Sequence, residues 1–198
     1  MKAYENLPEG YYEICSIDLQ KNKKTAVLVN VLACVIAAIM AIPMHFAIPF
    51  QSLFLTVGGP GELQIKMIVM IGAMILYMIL HELVHGVAMK ICGTKKVKYG
   101  FTGMYAFAGS EDLYDKKSYI FIALAPVVLW GVVLLIINMF VPVGWFWIVY
   151  LIQIVNISGA AGDLFVTVKF SNLPRDILVQ DYGVGMTVYS KEEVGALK

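Results

Sequence analysis

Four stretches of this chain stay apolar for longer than a globular core requires. They cover roughly 25–50, 65–89, 119–141 and 144–168. Crossing a hydrocarbon layer takes roughly 20 helical residues, and each stretch reaches that length. Helix is the expected form of each, because a lone strand in lipid leaves its backbone unpaired. Composition agrees: 60% of the residues are hydrophobic, 15% are charged, and mean hydropathy is +0.76. Soluble domains carry roughly 45–50% apolar and about 25% charged residues. A chain of 198 residues has too much surface to hide that excess in one core. Disorder and a disulfide scaffold are both excluded. The net charge of +1 excludes a basic nucleic-acid binder. The expected fold is an all-α integral membrane protein, a four-transmembrane-helix bundle in a lipid bilayer.

Lysines orient the bundle. Residues 1–24 hold Lys2, Lys21, Lys23 and Lys24. The loop between the second and third stretches holds Lys90, Lys95, Lys96, Lys98, Lys116 and Lys117, and residues 169–198 hold Lys169, Arg175, Lys191 and Lys198. The other two loops, 51–64 and 142–144, have no lysine or arginine. The positive-inside rule therefore puts both termini and the central loop in the cytoplasm, and Trp145 and Trp147 start the last span at the opposite interface. The first stretch contains Pro43 and Pro49, so its helix is expected to end or kink near Ile42. It is not expected to be a signal peptide, because a polar segment precedes it and no clear cleavage site follows. In the central loop, Val97–Phe101 and Met104–Phe107 alternate loosely around Thr102-Gly103, which reads as a small cytoplasmic β-hairpin-like loop. Residues 177–189 also contain strand-like stretches. The expected organisation is thus an N-terminal cytoplasmic segment (1–24), a four-helix core (25–168) and a cytoplasmic tail (169–198). Cys15, Cys34 and Cys92 are too few and too scattered for a disulfide framework.

The chemistry concentrates in His81-Glu82-Leu83-Val84-His85. On a helix, His81 and His85 lie one turn apart on one face. Two imidazoles so placed bind one zinc ion, with Glu82 beside it as general base. Three ionisable residues within five positions of a membrane span are costly without a function, and burying a carboxylate needs a partner that an ion supplies. The competing reading is a His/Glu cluster that hydrogen-bonds between helices.

A catalytic zinc normally takes three protein ligands and leaves one position open. His45 belongs to the opposite end of the first span and is a poor third ligand. Asp163 is the better one. It is the only carboxylate in the last span, and it lies six residues before Lys169 as His85 lies five before Lys90. The two spans run in the same direction, so Asp163 and the histidines share a depth. Gln153, Asn156 and Asp163 form a polar stripe at helical spacing. Residues 158–162 are all small, which allows close helix approach and local unwinding. The competing readings are a helix-end charge for Asp163 and interhelical hydrogen bonds for Asn156 and Gln153. Glu111, Asp112 and Asp115 are alternative ligands in a charged loop, where solvated side chains are the simpler reading.

His81-Glu-Leu-Val-His85 on one membrane helix, with Asn156 and Gly162-Asp163 on a later one, resembles intramembrane zinc metalloproteases of the site-2 protease type. It is closer still to a bacterial membrane family of zincin peptidases, in which the motif helix is followed by a segment like Asn156-Ile-Ser-Gly-Ala-Ala-Gly-Asp163. The resemblance covers roughly Ile65 to Phe170. It implies Zn2+ held by His81, His85 and Asp163, Glu82 as base, and a bacterial cytoplasmic membrane. The chain departs from site-2 proteases in two ways: the stretch Asn156 to Asp163 contains no proline, and the pair is Gly-Asp instead of Asp-Gly. The expected function is zinc-assisted hydrolysis of peptide bonds in a membrane-embedded or membrane-associated protein or peptide, close to the cytoplasmic face. Asn156 would bind the substrate backbone or the developing oxyanion. Nucleic acid is not an expected partner. The alternatives are a membrane metal transporter or sensor, and a catalytically inactive membrane scaffold.

Overall fold

A computed structural model of the chain describes residues 1–18, 21–56, 58–59, 61–103, 106–183 and 185–191. Four helical stretches are long and apolar enough to cross a membrane: Lys23–Ala47, Gly61–Ile91, Lys116–Phe140 and Val143–Ser171. The first three are single helices, α1, α2 and α3. The fourth is two helices, α4 (Val143–Gly159) and α5 (Ala161–Ser171), separated at Ala160. α1 continues through Pro43 to Ala47 and does not stop near Ile42. Proline fixes φ close to the helical value, so the helix can pass through it at the cost of one N–H donor. α1 has no buried residue, and Val31, Val35, Ile39, Ile42 and Phe46 are exposed. That is what a lipid solvent accepts and water does not.

The all-α expectation does not hold. Seven strands occur among the described residues: β1 (Ala3–Tyr4), β2 (Tyr12–Ile17), β3 (Lys98–Phe101), β4 (Ala106–Gly109), β5 (Leu113–Asp115), β6 (Leu178–Asp181) and β7 (Met186–Ser190). Five form one antiparallel sheet in the order β1-β5-β6-β7-β2. The other two, β3 and β4, form a separate hairpin. The N-terminal segment and the tail both contribute strands to this sheet. They pair with each other, Ser16 opposite Thr187. The physical reason for the difference is range. The strands have only two to six residues, and the pairings β1 with β5, β2 with β7 and β5 with β6 join segments more than sixty residues apart, so no local period announces the sheet.

The chain divides into two compact units, residues 1–28, 82–126 and 163–198, and residues 29–81 and 127–162. In the first unit a single rung runs across the sheet: Ala3, Tyr114, Val179, Val188 and Cys15. Tyr114, Val179 and Val188 are fully buried against Met89, Tyr119, Ile122 and Phe170. Asp115 caps the start of α3 through the Ser118 N–H at 2.7 Å. The Lys116 ammonium donates to the Ser171 and Leu173 carbonyls, both at 2.7 Å, where the end of α5 favours a cation. In the second unit, Trp147, Phe146, Ile148 and Leu53 form one cluster and Tyr77, Leu134 and Ile152 another. Lys66, the charge inside the second apolar stretch, is fully buried. It pairs with Glu62 at 3.0 Å and donates to the Leu55 carbonyl, so its burial is compensated.

Candidate metal centre

His81, Glu82 and His85 sit in the last third of α2, a run without proline that ends only at Ile91. His85 is buried, with Ala88 and Met89 in the core one turn on. Its Nδ1 lies 2.9 Å from the Ile122 carbonyl. A carbonyl only accepts, so Nδ1 carries the proton and Nε2 is left with its lone pair. That carbonyl is available because the residue four positions on, which would normally bond it within α3, is Pro126. Pro126 is itself fully buried.

Asp163 is positioned by the break at Ala160. The backbone restarts as α5, and Asp163 falls in its first turn, where unpaired N–H groups and the helix dipole favour an anion. Ala160 and Ala161 are both buried, so their small size permits the close approach. The Asp163 Oδ2 is 3.7 Å from the His85 Nε2. The boundary between the two units cuts α2 between His81 and Glu82, adjacent residues of one unbroken helix, so His81 is placed by that helix one turn before His85. One donor atom from each of His81, His85 and Asp163 lies within 4.8 Å of the others.

This donor set fits zinc. Bonds of roughly 2.0–2.2 Å in a tetrahedron put neighbouring donor atoms roughly 3.5 Å apart, close to the separation between Asp163 and His85. Two imidazole nitrogens and one carboxylate leave one position for water, the arrangement of a catalytic site. Each histidine also has its Nδ1 engaged by a protein group, as ligating histidines usually do. For His81 the partner is the Tyr77 hydroxyl at 2.8 Å.

Glu82 is half-buried, and its carboxylate accepts from the Ala108 N–H of β4. β3 and β4 confirm the hairpin expected in the central loop, with β4 two residues later than the alternation suggested. Met104 and Tyr105 lie outside the described residues. The hairpin rests on the motif helix: a Cβ added at Gly86 would stand 1.9 Å from the Tyr99 hydroxyl.

The other candidates are placed elsewhere. Asn156 is fully buried. Its Oδ1 accepts from Tyr77 at 3.0 Å and its Nδ2 donates to the Val127 carbonyl at 3.1 Å. Gln153 donates to the Gly131 carbonyl at 3.3 Å. Glu111 pairs with Lys98 at the surface and Asp115 caps α3. His45 accepts from the Phe50 N–H at 3.1 Å. None of these joins the metal group among the described residues. Sequence reasoning misses Tyr77, whose signal is its position one turn before His81, and Pro126, whose signal is a proline in mid-span. It also misses Asp181, at the end of β6. The Asp181 carboxylate accepts from the Gly183 N–H at 2.8 Å and the Tyr119 hydroxyl at 3.1 Å. Burial pushes it up to about 6 against the donors that hold it down.

Comparison with curated proteins finds no match, and comparison with solved structures finds none. One family matches, over residues 74–178, which takes in Tyr77, the motif helix, the hairpin, Asn156 and Asp163. That is just over half of the chain, and the protein belongs to this family, described as "Putative zincin peptidase".

Proposed function

We propose that this chain is a zinc-dependent peptidase that cleaves membrane-embedded or membrane-associated proteins or peptides near the cytoplasmic face. The observation that carries the reading is the convergence of His81, His85 and Asp163 donor atoms within 4.8 Å on a helix that also presents Glu82. A zinc ion bound there would lower the pKa of its water and polarise a peptide carbonyl. Glu82 would take the proton from that water and return it to the departing amine. Its contact with the Ala108 N–H holds the carboxylate in place. β3 and β4 form a two-stranded sheet with Ala108 beside Glu82, so a substrate strand added to this hairpin would lie close to the base. Main-chain hydrogen bonds would then hold a substrate whose helix has unwound, with side-chain pockets adding selectivity. The lysine distribution supports a cytoplasmic position for this end of the bundle.

Metal content of detergent-purified protein tests the reading. About one zinc per chain in the wild type, lost in His81→Ala and Asp163→Ala, is expected for a three-ligand centre. Glu82→Gln should keep its zinc and lose peptide cleavage. A wild-type protein that stays metal-free after zinc reconstitution sinks the proposal. Retained cleavage in Glu82→Gln removes the assigned base. Zinc carried across sealed vesicles without cleavage would make the site a transport site.

A further inference from the structure

We infer that Tyr77 and Asn156 are positioning residues that act through His81: together they fix which ring nitrogen carries its proton, and so leave Nε2 as the ligating atom. The inference deepens the proposed metal-site reading and rests on it. The argument is an accounting of protons along one buried chain of contacts. It begins at the Val127 carbonyl, which can only accept. The Asn156 atom 3.1 Å from it is therefore the amide nitrogen, and the amide oxygen faces the other way. That oxygen also only accepts, so the Tyr77 hydroxyl, 3.0 Å from it, must donate there. A tyrosine hydroxyl has one proton to give. Having given it to Asn156, Tyr77 can only accept from the His81 Nδ1, which lies 2.8 Å away. His81 is then protonated at Nδ1 and unprotonated at Nε2.

Every link is held in place. Asn156 is fully buried and Tyr77 nearly so. The Tyr77 ring stands edge-on to His81 and to Trp130, with centroids 5.7 and 6.4 Å apart. Because the order is anchored at a backbone carbonyl, it cannot reverse without leaving the buried Asn156 mismatched. This accounts for a buried asparagine seven residues before Asp163 that does not join the metal group. His85 reaches the same tautomer by a shorter route, the Ile122 carbonyl. His45 is the opposite case: its Nδ1 accepts from the Phe50 N–H, so its proton sits on Nε2. The chain has three histidines, and the contacts assign a tautomer to each.

Nitrogen NMR of metal-free, 15N-histidine-labelled protein at alkaline pH reads the tautomers directly. Two histidines protonated at Nδ1 and one at Nε2 are expected, with His81 and His85 in the first class and His45 in the second. In Asn156→Ala the Tyr77 proton is released to turn toward His81, and the His81 signal should move to the Nε2-protonated class. Zinc affinity should then fall about 10–100-fold, the usual range for loss of an outer partner of a ligand. Tyr77→Phe removes the hydroxyl with little change of shape. It should leave His81 as a mixture of tautomers and cost less affinity than Asn156→Ala. The double variant should behave like Tyr77→Phe alone, because without the hydroxyl Asn156 has nothing to orient. A purely structural role predicts instead that the two losses add. Wild-type His81 protonated at Nε2, additive losses in the double variant, or a single unchanged tautomer in Tyr77→Phe would each overturn the inference. The expected tautomers in a wild-type protein that takes up no zinc would overturn the proposed function and leave the proton order intact.

Discussion

His85 occupies the hydrogen-bonding place that Pro126 leaves empty. Pro126 has no N–H to give the Ile122 carbonyl, and the His85 Nδ1 reaches that carbonyl at 2.9 Å. A helix-breaking residue in α3 thus becomes a device for holding a candidate metal ligand on α2. The proline is tolerated because the freed carbonyl is satisfied by a side chain and not by lipid.

Pro126→Ala should restore the helical N–H and set it in competition with His85 for one acceptor. The helix itself should not suffer, since alanine is the better helix former by about 3 kcal/mol. The expected result is an unchanged or higher unfolding temperature with zinc affinity reduced about tenfold, within the range for loss of an outer-shell partner. Competition against a chromophoric chelator measures the affinity. Wild-type affinity in this variant would show that His85 does not depend on the freed carbonyl.

Gly86 follows His85 directly and carries the hairpin. A methyl group there would overlap the Tyr99 hydroxyl at 1.9 Å and its ring at 2.6 Å. Tyr99 is exposed, so the ring can swing out, and the global cost of Gly86→Ala should stay within about 1 kcal/mol, the low end for overpacking. The hairpin, not the metal site, should respond. Amide exchange over 98–109 should speed up and KM for peptide should rise, with zinc affinity within twofold of wild type. Unchanged exchange would mean that the hairpin is seated by other contacts.

What could be read in advance divides along one physical line. The spans were legible because lipid demands long uninterrupted apolar runs. His81, Glu82 and His85 were legible because ionisable groups in such a run are costly and their spacing is helical. Asp163 followed from depth, which lysine positions set. The five-stranded sheet was not legible. Leu113–Asp115 and Ala3–Tyr4 are too short to show a period, and their pairing depends on partners more than a hundred residues away. Tyr77 and Pro126 were hidden for another reason. Each looks ordinary in an apolar helix, and only the folded structure sets which donor or acceptor faces it. Asn156 was singled out for its polarity, but its partners, Tyr77 and the Val127 carbonyl, needed the fold.

Asp181 gives the metal-free protein a pH dependence whose sign is fixed. Its carboxyl rises from the ordinary 3.8 to about 6 on folding, first because of burial, with Gly183 and Tyr119 opposing. Between those two values the folded state holds more protons than the unfolded one, so stability falls as pH rises through the interval and stays at the lower level above it. The ionised group costs on the order of 2–3 kcal/mol at most. Asp181→Asn mimics the neutral acid and keeps an acceptor for the Gly183 N–H. It should therefore raise the unfolding temperature of metal-free protein by a few degrees at pH 8, with the gain fading below about pH 5, where wild-type Asp181 is itself protonated. Unfolding in detergent at both pH values measures it. A variant less stable than wild type at pH 8, or a gain that grows as pH falls, would show that the Asp181 charge is stabilised by its surroundings and not penalised by them.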